Sequence, residues 1–195
     1  MPSKAYNEHL EVVLADATEL ITAHSKIKTG QRGRQWGLGA LNRAVVVMCV
    51  SAWEAYIEEV IREAIEAINP GPGIPPGSWP SLKASALSEV GRLNTPNTQN
   101  IRRLVQNTIG MTDLTTNWSW KNCSSSRAIT SLDKILKIRH EAAHGVRPRP
   151  VVDNKWALWA IGFIRRIAGL TDNAILEHIT NTLGVNPPPW SRYSS

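Results

Sequence analysis

Apolar residues recur three and four positions apart along most of this chain, and no segment alternates apolar with polar residues over the length of a strand. From Tyr6 to about Ile27 the pattern runs through Leu10, Val13, Leu14, Ala17, Leu20 and Ile21, which predicts an amphipathic helix. A glycine-rich basic connector, residues 28–37, follows; it lacks the Gly-Lys-Ser/Thr of a phosphate-binding loop. Leu38 to Ile68 reads as the longest helix, stopped by Asn69-Pro70-Gly71. Around Val45–Met48 it is apolar almost all round, as a central core helix is.

Residues 69–80 are an irregular Pro/Gly loop, followed by a short helix near Pro80–Arg92. Thr95-Pro96 reads as an N-cap with proline at the first helical position, opening a helix to Ile109. The polar loop 110–124 holds Trp118 and Trp120, expected to peg it to the core. A helix beginning at Ser124–Ser126 carries the stripe Ile129, Leu132, Ile135, Leu136 and Ile138, and Gly145 ends it. Asp153 caps the next helix, with Trp156, Trp159, Phe163 and Ile167 inward and Arg165 and Arg166 outward. A separate last helix is expected over Thr171–Leu183. The pattern predicts an all-α, up-and-down helical bundle around one long core helix. A single domain spans 1–185, and a loose proline-rich tail covers 186–195.

Composition narrows the function classes. The 195 residues suffice for a sizeable core, and the longest apolar run, about Ala44–Trp53, is far short of the ~20 residues of a membrane span. The N-terminus has no apolar signal-peptide core, and two cysteines make neither a disulfide framework nor a thiolate metal site, so a cytoplasmic protein is expected. The net charge of +6 is uneven. Residues 1–69 hold 7 Lys/Arg against 9 Asp/Glu, whereas 70–195 hold 15 against 7. The excess of cations in the second part suits a polyanionic partner.

That part contains Arg139-His140-Glu141-Ala142-Ala143-His144-Gly145, which fits two chemistries. As H-E-x-x-H it is the helical zinc-hydrolase pattern, with His140 and His144 as ligands and Glu141 as base. A third ligand is then required. The helix ends at Gly145, so Glu177 or His178 would have to supply it from the last helix. As R-x4-H the stretch offers a permanent cation for a phosphate and imidazoles for proton transfer near neutral pH. RNA brings its own nucleophile, the 2′-OH beside the scissile phosphate, so this set suffices without a metal or cofactor. Five helical positions set Arg139 and His144 about 140° apart and about 7.5 Å along the axis, so one copy makes an awkward site. A purely structural use is the third option, with Arg139 and the histidines bonding helix-end carbonyls and favouring the C-terminal dipole. Glu54, between Trp53 and Tyr56 where the core helix turns amphipathic, is a candidate partner for Arg139.

Arg139, His140, His144 and Gly145, late in an α-helical chain of this length, resemble the ribonuclease motif of the HEPN family. The long core helix with Trp53-Glu54-x-Tyr56 is similar to its RiboL-PSP-HEPN subgroup. The resemblance implies a metal-independent endoribonuclease with Arg139, His144 and His140 as catalytic residues and Glu54 in support. It implies a homodimer with a composite active site, and products bearing a 2′,3′-cyclic phosphate and a 5′-OH. A toxin, phage-defence or RNA-processing role would follow, with an antitoxin or inhibitor protein as a further partner. A non-catalytic member would bind RNA or nucleotides instead. Arg147, Arg149, Lys155, Arg102 and Arg103 are the expected RNA contacts. Where members partnered by nucleotidyltransferase antitoxins carry a tyrosine two positions past the motif histidine, this chain has Val146, so tyrosine modification is not expected.

Overall fold

The computed structural model describes residues 1–27, 38–71, 74–75, 77–145 and 150–194. The glycine-rich connector and the expected RNA contacts Arg147 and Arg149 lie outside these residues. Among them stand six α-helices: α1 (Glu11–Ile27), α2 (Leu38–Ala67), α3 (Trp79–Val90), α4 (Thr98–Ile109), α5 (Ser125–Ala143) and α6 (Asn154–Asn181). A π-helical segment, Ala5–Leu10, leads into α1, and a 3-10 turn, Leu114–Asn117, lies between α4 and α5. The protein is an all-α bundle.

α2 touches each of the other five helices, and its buried positions explain why. Val45, Val46, Cys49, Val50, Trp53, Tyr56, Ile57, Val60, Ile61, Ala64 and Ile65 are all buried, recurring at one, three and four positions. Trp53 is fully enclosed: its ring stacks 5.7 Å from Tyr56 and meets Trp118 edge-on at 5.8 Å. Its Nε1 donates to the Pro96 carbonyl at 3.1 Å, so the indole buries its surface without orphaning its polar atom. Pro96 therefore stands outside α4, and the cap is Asn97, whose side chain accepts from the Asn100 amide. The loop tryptophans are pegs as expected: Trp118 is buried and donates to Thr171 Oγ1 at 2.9 Å, and Trp120 lies on Phe163.

α6 departs from expectation. It is one helix of 28 residues, not two. Near the expected break lie Gly169, Thr171 and Asp172, residue types of low helix propensity. Here each has a tertiary use instead. A Cβ on Gly169 would lie 2.4 Å from the Tyr193 ring, so the glycine makes room for the tail. Thr171 receives Trp118, and Asp172 receives the Ser3 amide at 2.8 Å and hydroxyl, together with the Tyr56 hydroxyl at 3.2 Å.

The tail is likewise packed where looseness is expected. Trp190 is buried, the Tyr193 amide and carbonyl bond reciprocally with the Asn173 side chain, and the Ser191 amide donates to the Met1 carbonyl at 2.8 Å. Both ends of the chain are thereby tied to the same stretch of α6. No helix among the described residues is long and apolar enough to cross a membrane.

Candidate functional site

α5 delivers the motif. Ser124 caps it by accepting from the Arg127 amide, and Ala128, Leu132 and Ile135 are its buried positions. The helix continues through Ala143, His144 is the C-cap residue, and Gly145 follows with φ +65°, the left-handed turn that glycine adopts without strain. The motif thus occupies the last turn, where backbone carbonyls lack helical partners and cations are favoured.

Within that turn Arg139 is half-buried while His140 and His144 are exposed. One helical turn apart, the two imidazoles lie side by side, with ring centroids 4.4 Å apart and planes tilted by 45°. Among the described residues no carboxylate pairs with Arg139. Glu141 stands 4.0 Å from Lys137, so it belongs to a loose surface pair rather than to the histidines.

Among the described residues no ion pair joins Glu54 to Arg139. Glu54 adjoins Trp53, whose ring meets Trp118. Glu54 faces Glu58 instead, whose pKa is raised by partial burial, with Arg62 opposing and the Glu54 charge adding to the rise.

The outlying cations divide. Arg102 turns toward the loop before α5, donating from Nε to Asp113 Oδ1 at 3.0 Å and from Nη2 to Thr115 Oγ1 at 2.6 Å. Arg103 is exposed in a cleft of about 270 Å³ with Asn94, Asn100 and Asn107, and Lys155 is exposed in the first turn of α6. Neither is brought against the motif by any described contact. The two candidate third zinc ligands are engaged elsewhere: Glu177 pairs with Arg192 at 3.0 Å, and His178 Nε2 bonds the Ile109 carbonyl at 2.8 Å. Among the described residues no three His, Cys, Asp or Glu side chains cluster as a metal site.

Sequence reasoning passed over two features. The buried carboxylate is Asp172, not Glu54, and nothing local marks it, since its partners are residues 3 and 56. The exposed side of α5 also carries Arg127, Lys134 and Lys137 on a winding band that leads to His144, a spacing legible in the sequence.

The chain is thus a helical bundle built on one long core helix, presenting an arginine and two adjacent imidazoles at the end of an internal helix. Residues 13–177 match the RiboL-PSP-HEPN family, a span from the first turn of α1 through most of α6 that includes the motif, and the chain belongs to that family. No curated protein and no solved structure matches it significantly. Membership sets a ribonuclease or RNA-related function as the functional class.

Proposed function

We infer that the protein is a metal-independent endoribonuclease whose site is formed by Arg139, His144 and His140. The observation that supports this most is the pair of imidazoles 4.4 Å apart on an exposed helix end, one residue from an arginine with no carboxylate partner among the described residues. An imidazole takes the proton of the 2′-OH as that oxygen bonds to phosphorus. Arg139 offsets the charge that accumulates on the phosphorane oxygens, and an imidazolium protonates the departing 5′-oxygen. The P–O5′ bond breaks, leaving a 2′,3′-cyclic phosphate and a 5′-OH. A toxin, defence or RNA-processing setting is compatible with this chemistry.

Arg139 and His144 diverge by about 140° on one helix, so a productive site takes the arginine from one copy and the histidine from another. The test follows from that. His144→Ala is expected to lower cleavage of single-stranded RNA by about 10²–10⁴, and Arg139→Ala at least as much. Mixing the two inactive variants restores activity if sites are composite, because each mixed dimer holds one intact pair. Cleavage by both variants at the wild-type rate would refute the assignment. Wild-type protein that binds RNA without cutting it would mean a binding domain instead.

A further inference from the structure

Beyond the motif, the solvent side of α5 carries cations at regular helical spacing. Arg127, Lys134, Lys137 and His144 are all exposed and lie on a band that winds by about 100° from Arg127 to His144, at spacings of seven, three and seven. The stripe spans about 25 Å of helix and ends at the motif. Thr130 and Glu141 fill the intervening positions, with Glu141 4.0 Å from Lys137, and Asp133 stands on the adjoining row.

An aromatic rim runs beside this stripe. Lys134 Nζ lies 5.8 Å from the Trp156 ring centroid, Trp156 is 5.5 Å from Trp159, Trp159 stacks on Phe163 at 5.1 Å, and Phe163 meets Trp120 at 6.0 Å. Trp120 precedes α5 and Trp156 stands beside its middle, so the rim follows the stripe from its far end toward the motif. Most of these rings are buried or half-buried, but Trp159 is 41% exposed. A partly exposed ring, joined through Trp156 to the row of cations at Lys134, is the combination that single-stranded nucleic acid fits, phosphates on the cations and a base on the ring.

We propose that this face of α5 and α6 is a track for a single-stranded RNA segment leading to the scissile site. Arg127, Lys134 and Lys137 neutralise successive phosphates, and Trp159 stacks an unpaired base. The track length suits about four nucleotides, the low end of single-strand site sizes. Charge decides the occupant: a second copy docked through this face would bring two like-charged rows together, whereas a polyanion releases counterions from them. The inference rests on the proposed action on RNA and adds to it where the strand lies and why it must be unpaired.

The test uses a short fluorescein-labelled 2′-O-methyl oligonucleotide, which presents a single strand and cannot be cleaved, with affinity read by anisotropy. Trp159→Ala is expected to weaken binding about 5- to 150-fold, and Trp159→Phe to recover most of it. The double variant Lys134→Gln, Lys137→Gln should flatten the slope of log affinity against log salt by about 1.4. Annealing the complementary strand should make binding insensitive to Trp159→Ala. Circular dichroism checks that each variant folds. Unchanged affinity in the folded variants overturns the track. So does loss of self-association in Trp159→Ala with unchanged RNA affinity, which would make the face a contact between copies. Because the probe is uncleavable, these results stand apart from the catalytic assignment. A wild type that shows them without cutting RNA keeps the track and loses the ribonuclease.

Discussion

Asp172 offers the sharpest test of how this bundle is held together. Its carboxylate is fully buried, accepts from the Ser3 amide, the Ser3 hydroxyl and the Tyr56 hydroxyl, and has no cation beside it among the described residues. Burial pushes its pKa up to about 6; the bonds from Ser3 and Tyr56 oppose the rise, and the nearby Glu63 charge adds to it. Because the folded value lies above the unfolded one, the group stabilises the fold fully below about pH 4 and loses that contribution as pH rises through about 6. A rise from 3.8 to about 6 corresponds to about 3 kcal/mol. Asp172→Asn keeps the shape and removes the titration. Urea unfolding of both proteins from pH 4 to pH 8 is expected to show the wild type losing about 3 kcal/mol relative to the variant across that window. The variant has its own constant cost, because an amide cannot accept all three donors, but a constant offset does not alter the slope. A stability difference that is flat with pH would refute the reasoning, since it would mean the group does not titrate differently in the folded chain.

Further outcomes follow from single contacts. Gly169→Ala places a methyl group 2.4 Å from the Tyr193 ring and should expel the tail, costing about 1–3 kcal/mol and shifting Trp190 fluorescence toward that of an exposed indole. Gly162→Ala, at an exposed helical position with nothing within 4 Å of the new methyl, should instead raise stability by about 0.5–1 kcal/mol in the same denaturation assay. Trp118→Phe removes the donor to Thr171 inside the core and should cost about 1–3 kcal/mol in unfolding free energy. Glu141→Gln, together with excess EDTA, should leave RNA cleavage nearly unchanged. Activity lost on chelation and recovered with zinc would return Glu141 to the role of a base.

The elements legible in the sequence are those whose causes are local. α2 reads as the core helix because its apolar positions cover every direction around Val45–Met48, and such a helix can only be buried. The motif reads as one unit because Arg139 through Gly145 lie within two helical turns, where spacing alone sets which side chains are neighbours. The stripe on α5 is equally local. What tertiary structure decided are the pairings between distant positions. Glu54 looked like the partner of Arg139 because both are charged groups near apolar helices, yet among the described residues no ion pair joins them. Asp172 carries no local mark, yet it is the acceptor that ties Ser3 and Tyr56 to α6. The tail looked loose because three prolines stand at its start, but a missing Cβ at Gly169 creates the seat for Tyr193, more than twenty residues away. Helical periodicity carries the direction of each side chain around its own axis. It carries nothing about how far one helix slides along another, and that offset chose which polar groups meet.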